Sequence, residues 1–397
     1  MDSIDFVQFF WLPNTLYRMV GYDFQQLPRP RWRQILMNVF LIFTFTLGTW
    51  IRVYIIDQLR RLIASGDILN SFRLAVYVFY AFDSNVKFAV FVLKVQRLRK
   101  IYECLAAEYP QTNKEIQLYQ VKKYSFGHAR LIIRTYMLVV NLIILEPLLQ
   151  SICTYILDIF RNGYSGTKFP YLHPTPMPYN FDYRRPLYYI PLYMSEYLNS
   201  HFCTVTNLGT DTFVCAFAQQ ICMHLEYLGN SLENYEPSVE NSKADCEFLK
   251  KWVKKHQLML NLCAELNEIF GISMLFMIIS NCTLYCIIVV QLKLEGIGMT
   301  FVKFICFFSV TVIQFFVICQ FGQKLITMSE KLAFYAYSNR WYNGSKMYKN
   351  MLLTVITRAQ DPAKVTAKGF QPISLLTFQI VMTMTYRVFA VLQQALD

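Results

Sequence analysis

Two ionisable residues of opposite charge lie close together inside an apolar stretch of the chain. Asp83 and Lys87 are four residues apart in "FYAFDSNVKFAVF", so on a helix they share one face and can form an ion pair. A charge at the centre of a membrane helix costs about 2.5–3.5 kcal/mol, so it needs a partner or contact with water. The spacing indicates either a neutralised structural pair or one wall of a water-filled cavity.

Other polar residues in apolar stretches suit the binding of a small molecule. Glu146 precedes Pro147 in "LIILEPLLQ", where the proline frees a carbonyl and permits a kink. A polar and aromatic stripe recurs every four residues further along: Tyr189, Tyr193, Tyr197 and His201. Such a stripe serves either interhelical packing or a pocket for a small, mostly apolar ligand, which needs aromatic walls and a few polar groups.

Motifs of enzymes and metal sites are missing from the sequence. It contains no Gly-rich phosphate loop, nucleophile elbow, His-Glu-x-x-His or paired-cysteine zinc pattern. His173 stands alone in a Pro- and Tyr-rich segment without a second ligand at a suitable spacing. Most of the 11 cysteines fall in apolar stretches, where cysteine acts as a small hydrophobe. We therefore expect no enzyme, no cofactor, no metal and no disulfide framework.

The elements that must position these residues are membrane helices. Of the 397 residues 55% are hydrophobic and only 16% charged, and seven apolar stretches are long enough to span a bilayer. These stretches are 34–56, 72–93, 131–157, 188–223, 269–290, 301–321 and 370–395. The fourth is the least apolar. The composition predicts an all-α, integral membrane seven-helix bundle forming one domain over residues 1–397.

The charge distribution predicts the orientation of the bundle. Lysine and arginine are concentrated before the first stretch and in 94–130, 224–268 and 324–371, which alternate with poorer segments. Basic residues favour cytoplasmic loops, so we expect a cytoplasmic N-terminus and, after seven spans, an extracellular C-terminus. The net charge of +12 is explained in this way, without a nucleic-acid partner.

The segments between the spans are unequal. Residues 231–268 place Leu249 and Trp252 among lysines at helical spacing, which predicts that the neighbouring spans continue into the cytoplasm as helices. Such extensions are either a meeting place for subunits or helices lying on the lipid surface. The outer loop 161–187 predicts an ordered lid of turns. A cytoplasmic helix over 345–358 is predicted to precede the last span, so the last helix is split in two.

The C-terminal region resembles the insect odorant receptor family. The matching pattern is Trp341, Arg358-Ala359-Gln360-x-Pro362, Thr366-Ala367-x-Gly369-Phe370, Ser374, Thr377-Phe378 and "TYRVFAVL" ending at Leu392. The resemblance covers the whole chain in span count and topology, and is weaker over the outer loop, "GTDTF" at 209–213 and the second cytoplasmic loop. Arg387 departs from the pattern, where family members more often have serine or another small residue, and this leaves the ion selectivity open.

The resemblance implies an odorant-gated, non-selective cation channel in the plasma membrane of a sensory neuron dendrite. The resemblance also implies that a tuning subunit of this kind assembles with a shared co-receptor as a heterotetramer in the bilayer lipid, with the last helices around the pore. The ligand would be small, volatile or semi-volatile and mostly neutral. A gustatory-type receptor channel and a G-protein-coupled chemoreceptor are the alternatives. The latter needs the opposite orientation, and its Asp-Arg-Tyr and Asn-Pro-x-x-Tyr motifs are absent.

Two sets of site residues follow from this resemblance and from position along the spans. The ligand pocket is placed in the outer half of the bundle, at Tyr77, Tyr80, Asp83, Leu149, Ile152, Tyr193, Tyr197, His201 and Phe308. The pore and gate are placed on the last helix, at Tyr386, Arg387, Phe389, Leu392 and Gln393. Arg387 faces a neighbouring subunit or the vestibule, or extends to the outer interface.

Overall fold

Helices make up most of the structure, a computed structural model that describes residues 6–25, 30–124, 127–162, 169–175, 179, 185–294, 296 and 298–396. Its α-helices in these ranges are α1 Phe6–Met19, α2 Arg31–Ala64, α3 Ile68–Ala107, α4 Asn113–Leu118, α5 Gly127–Asn162, α6 Pro186–Glu233, α7 Ser242–Leu294, α8 Met299–Ser338, α9 Lys346–Ala359 and α10 Leu375–Leu396. Short 3-10 turns cover Val121–Tyr124 and Trp341–Asn343, and a hairpin joins β1 Thr366–Ala367 to β2 Gln371–Pro372.

The seven long helices α2, α3, α5, α6, α7, α8 and α10 follow the seven predicted spans in order. In the described part of the chain, five of them, namely α2, α3, Arg134–Phe160 of α5, α7 and α8, are long and apolar enough to cross a membrane, and α10 is a shorter apolar helix. The helix α6 falls outside this group because it carries many polar residues. It lies instead at the centre of the bundle, where every side chain from residue 202 to 225 is buried.

The N-terminal helix α1 was not among the predicted elements, because Pro13 interrupts its apolar run. The proline lies inside the helix all the same, since Phe10 and Tyr17 are buried against α6 and α3. The Tyr17 hydroxyl and Thr210 Oγ1 are 2.6 Å apart. A Cβ on Gly209 would lie 2.9 Å from the Tyr17 ring. The "GTDTF" segment therefore forms part of the surface on which α1 packs. This packing outweighs the cost of a proline in a helix.

The predicted helical extensions are present at the end of the bundle that we call the base, formed by residues 94–124, 224–268 and 324–372. α3 continues to Ala107, α6 to Glu233, and α7 begins at Ser242. Most apolar residues of 248–262 pack within the chain: Trp252 Nε1 donates to the Leu228 carbonyl at 2.8 Å, and the Phe248 and Tyr235 rings stack with their centroids 3.8 Å apart. This face of α7 is thus used inside the subunit and does not lie on lipid.

Polar contacts outside the apolar spans tie the base together. Glu226 accepts hydrogen bonds from Lys123 and Tyr124, and despite partial burial these two donors hold the pKa of Glu226 below its usual value. Burial lowers the pKa of His256 to about 4, so this imidazole is neutral at pH 7. The base is therefore a folded part of the subunit with its own network of contacts.

The predicted cytoplasmic helix and the last span are joined by the hairpin. α9 ends at Ala359, and the hairpin turns at Lys368 (φ 53°) and Gly369 (φ 82°), a conformation that favours glycine. Asn267 of α7 holds the approaching strand, since its Oδ1 accepts from Thr366 N at 2.8 Å and its Nδ2 donates to the Lys364 carbonyl at 2.7 Å. The predicted start of the last helix at residue 370 is wrong, because residues 371–372 are a strand and the helix begins at Leu375.

The close approach of Gly322 to the hairpin yields a test of this packing. A Cβ on Gly322 of α8 would lie 2.1 Å from the Ile373 carbonyl oxygen. We expect Gly322→Ala to destabilise the folded protein by about 1–3 kcal/mol, because backbone must move to admit the methyl group. The measurement is the melting temperature of the purified protein in detergent.

Gly296→Ala is the matched control, because a Cβ there meets no described atom within 4 Å. Equal melting temperatures of the two alanine variants would contradict the tight contact between α8 and the segment before α10.

Candidate functional site

A buried ion cluster lies at the centre of the membrane bundle. Lys87 Nζ is 3.2 Å from Asp83 Oδ2, as the sequence predicted, and 2.8 Å from Asp211 Oδ1 on α6. It also donates to Asn207 Oδ1 at 2.6 Å, and all four side chains are buried. Lys87 is thus paired with carboxylates from two helices, so the cluster contains one ammonium group and two carboxylates. Asp211 was missed as a member, although its position in an otherwise apolar stretch was a usable signal.

Hydrogen bonds connect this cluster to residues further from the base, on α3, α5 and α8. Gln314 Nε2 of α8 donates to Asp211 Oδ2 at 2.6 Å, and the Tyr136 hydroxyl of α5 donates to Gln314 Oε1 at 2.7 Å. The Tyr80 and Tyr136 hydroxyl oxygens are 3.3 Å apart. Because Tyr136 donates to Gln314, Tyr80 is the donor to Tyr136. The result is a continuous polar connection among α3, α5, α6 and α8.

A cavity of about 70 Å³ lies at the Tyr80 end of this connection. It is lined mostly by apolar groups, from α2, α3, α5, α6, α8 and the loop before α6: Ile55, Val76, Tyr77, Tyr80, Ala81, Val140, Ile143, Ile144, Thr175, Asn199, Ser200, Cys203, Thr204, Lys303, Phe304 and Phe307. An apolar space with a few polar groups is the ordinary form of a small-molecule site. Tyr77 and Tyr80 of the predicted pocket line it.

The other predicted pocket residues lie outside this cavity. Asp83 belongs to the ion cluster, Tyr193 donates to the Ile144 carbonyl at 2.9 Å, and Tyr197 donates to Asn141 Oδ1 at 3.1 Å. His201 stacks on Tyr197, and Phe308 packs edge-on against Tyr285.

Leu149 and Ile152 face away from the bundle interior, with 52% and 40% of their surfaces exposed. Sequence reasoning missed Ala81, Cys203, Phe304 and Phe307, which line the cavity. They carry no polar signal, and only the rotation of each helix brings them to the cavity wall.

Residues 169–175 and Tyr179 of the predicted outer loop, which we call the lid, lie beside the cavity, and Thr175 forms part of its wall. The buried carboxylate of Glu196 organises it, accepting from Thr175 N at 3.0 Å and from the hydroxyls of Thr175 and Tyr179. His173 Nδ1 lies 3.0 Å from Glu196 Oε1, which gives the lone histidine a partner. The Tyr189 hydroxyl donates to the Leu172 carbonyl at 2.7 Å. The tyrosine stripe on α6 therefore holds the lid and α5 in place.

A second, more open cavity of about 530 Å³ adjoins the first, and we call it the vestibule. The two share Tyr77, Thr175, Lys303 and Phe304 as lining residues. The vestibule differs in having three further charged lining residues, Asp67, Arg73 and Glu146. The apolar cavity thus borders a polar space, with Lys303 at the boundary.

The predicted pore residues lie on a loosely packed helix. α10 packs on α7 and α8 through Val381, Thr385 and Phe378, whose ring is 5.3 Å from that of Phe316. Other parts of the helix surface are open: Tyr386 is 69% exposed, and Arg387 and Gln393 are exposed. Phe389, one turn after the buried Thr385, lies on the packed side and is half-buried. The side chain of Leu392 lies outside the described residues.

Comparison with known proteins decides the family. A family model described as 7tm Odorant receptor matches residues 70–386. This chain belongs to the odorant receptor family. The receptor is 32% identical to Odorant receptor 49a of Drosophila melanogaster over 394 residues, 98% of each chain. It is 28% identical to Odorant receptor 85f of the same species over 391 residues, 97% of each chain.

The fold of this odorant receptor is also known from solved structures. It is similar to the insect olfactory receptor OR5 from Machilis hrabei, solved in complex with eugenol, with a TM-score of 0.80 at 15% identity over 99% of this chain and 100% of that one. The resemblance inferred from the C-terminal motif and the all-α seven-helix membrane fold are thereby confirmed. The protein is a multi-pass membrane receptor of an olfactory family rather than an enzyme.

Removal of the buried cation tests the ion cluster. We expect Lys87→Met to destabilise the receptor by about 3–5 kcal/mol, because Asp83 and Asp211 would remain buried without their counter-ion. The measurement is the melting temperature and the monodisperse fraction of purified receptor in detergent.

Arg97→Met is the matched control. Arg97 Nη2 is 2.6 Å from Glu265 Oε2, but the two side chains are 39% and 47% exposed, so the pair contributes only about 0–1 kcal/mol. A Lys87→Met receptor as stable as the control would show that the carboxylates do not depend on Lys87.

Proposed function

We propose that this odorant receptor binds a small, mostly neutral odorant in the cavity beside the lid and so opens a non-selective cation pathway beside α10. The observation that carries the proposal is the cavity itself, which is apolar, bordered by a few polar groups and lined on one side by Thr175 of the lid. Its size is about half the 150 Å³ reported for cavities that hold benzene, so an odorant must widen it or extend into the vestibule. The related fold of OR5 was solved with a small aromatic molecule, eugenol, which supports a ligand of this class.

The polar connection supplies a route from the cavity to α10. Tyr80 is both a cavity wall and the first member of the hydrogen-bonded series that reaches Gln314 on α8. The next residues of α8, Phe315 and Phe316, contact the Phe378 ring of α10 at 5.8 and 5.3 Å. A ligand opens a channel only through a higher affinity for the open state. An odorant that fits better when α8 is displaced would therefore also displace α10.

The open face of α10 supports its assignment to a pore between subunits. A membrane helix that packs on its own chain by one face has the other available for neighbouring subunits. We assign Tyr386, Phe389, Leu392 and Gln393 to the pore and gate, where an apolar ring closes the path by dewetting. Arg387 follows Tyr386 and faces the mouth of the pore or a neighbouring subunit.

The remaining features of the proposal concern assembly and location. The receptor acts as a tuning subunit with a shared co-receptor, in a heterotetramer in the plasma membrane of a sensory neuron dendrite. We assign the base and the N-terminus to the cytoplasm, and the lid and the C-terminus to the outside; the distribution of basic residues supports this orientation. The odorant receptor family match and the likeness of fold support this function over a gustatory-type or G-protein-coupled receptor.

The first test is whole-cell current with and without an odorant receptor co-receptor, during application of a panel of volatile compounds. We expect current only on co-expression, and an Ala81→Leu receptor that needs about tenfold or more odorant for the same response. Ala81 lines the cavity, and three additional carbons there compete with the ligand for space.

Ala64→Leu is the matched control, since Ala64 is exposed and lines neither cavity. Equal sensitivity of the two variants at equal surface expression would place the odorant elsewhere. Second-messenger responses without current would refute the channel.

The charge of Arg387 yields a separate test of the pore. We expect Arg387→Ser to increase the permeability to cations relative to anions and to shift the reversal potential, because a positive charge at a pore mouth repels cations. The measurement is the reversal potential in asymmetric salt. Lys368→Ser, in the exposed hairpin turn at the base, should leave it unchanged. An unchanged potential in Arg387→Ser would remove this residue from the conduction path.

A further inference from the structure

The boundary between the cavity and the vestibule contains a charged donor, Lys303, in the first turns of α8. We propose that its ammonium group selects odorants that carry a neutral hydrogen-bond acceptor, such as a ketone or ester carbonyl, on an apolar body. The inference rests on the proposed function, because it takes the cavity as the ligand site. It goes further in naming the chemical class of ligand and the residue that recognises it.

The position of Lys303 is unusual for a lysine. Its side chain is only 15% exposed and lines both spaces. Its Nζ donates to the Pro174 carbonyl of the lid at 3.2 Å and lies 3.7 Å from Glu146 Oε2. An ammonium group has three N–H donors and no acceptor. Only the contact with Pro174 is short enough for a hydrogen bond, so donors of the ammonium group remain for a molecule in the cavity.

Several other polar groups of the cavity wall already donate to the chain itself. The Tyr77 hydroxyl donates to the Pro174 carbonyl at 3.3 Å, and Thr204 Oγ1 donates to the Ser200 carbonyl at 2.9 Å. The Tyr80 hydroxyl donates to Tyr136. Lys303 therefore has a donor to offer that these three hydroxyls lack, and its hydrogen bonds are strengthened by charge.

The surroundings of Lys303 favour a neutral acceptor over an anion. Glu146 Oε2 is close enough to Lys303 Nζ to oppose a second carboxylate, and Asp67 and Arg73 add one charge of each sign to the vestibule. A carbonyl ligand meets the donor without this repulsion. A hydrocarbon of the same length covers the ammonium group and leaves its donor without water or acceptor, which weakens binding by about tenfold or more.

The lid lies next to the donor that Lys303 offers to a ligand. The Pro174 carbonyl accepts from both Lys303 and Tyr77, so it is the point at which the lid touches the cavity wall. A ligand carbonyl that accepts from a remaining donor of Lys303 leaves both hydrogen bonds to the Pro174 carbonyl in place. The number of hydrogen bonds is maintained, and burial of the apolar body of the odorant supplies the net gain in affinity.

The experiment compares short-chain 2-ketones with the n-alkanes and n-carboxylates of equal carbon number. Binding is measured as the ligand-induced rise in melting temperature of purified receptor, and currents are recorded in cells that also express the co-receptor. We expect the wild type to bind ketones about tenfold more tightly than alkanes, and more tightly than carboxylates. Lys303→Met should lose about tenfold for ketones alone, and Lys303→Arg, which keeps the charged donors, should preserve the preference.

Lys293→Met is the matched control, because Lys293 is exposed and lines neither cavity. Ligand binding tests the selection by Lys303, and current tests the proposed channel. Ketone binding that depends on Lys303 without any current supports the selection by Lys303 and refutes the channel. Currents with equal ketone and alkane sensitivity, or a preference unchanged in Lys303→Met, refute the selection and leave the channel standing. Neither binding nor current from any compound refutes both.

Discussion

Lys87 holds a positive charge in the buried interior of the bundle, and this charge constrains how three helices pack. Its carboxylate partners come from α3 itself and from α6, and Gln314 of α8 adds a hydrogen bond to Asp211. Removing two opposite charges from water is costly, so such a group is stable only when its geometry is complete. A shift of any of the three helices along its axis would break several of these contacts at once. The ion cluster thus sets the relative height of α3, α6 and α8, and with it the position of the cavity above.

The cavity is a consequence of this alignment and of the polar residues on α6. Glu196 and Tyr189 attach the lid to the central helix, and Tyr193 and Tyr197 attach α5. The polar side chains that made α6 look unlike a membrane span are therefore those that hold its neighbours. Because these side chains lie on the side of α6 that packs inside the protein, they meet protein rather than lipid, which is where polar groups in membranes are tolerated. A ligand beside the lid consequently touches elements that are all fastened to one helix.

The C-terminal region shows why the family motif has the residues it has. Gly369 permits the positive φ of the turn, Thr366 pairs with Asn267, and Ser374 Oγ accepts from Thr377 N at 3.4 Å at the start of α10. Gly322 on α8 allows the backbone at Ile373 to approach closely. These contacts anchor the start of α10, while the remainder packs by one face only. A helix anchored at one end and open along one side is suited to a change of position in response to its neighbours.

The sequence by itself determined the membrane class, the order of the seven spans, the Asp83–Lys87 pair and the family, because length, hydropathy and local spacing are properties of the chain alone. It also indicated two cavity residues, Tyr77 and Tyr80.

Only the tertiary structure decided that Asp211 completes the ion cluster, that Pro13 lies within a packed helix, and that Leu149 and Ile152 face outward. The physical reason is that a membrane helix is apolar on all sides, so its sequence has little periodicity to show which face turns inward. That choice depends on contacts between residues far apart in the chain, such as Tyr17 with Thr210 and Lys87 with Asp211.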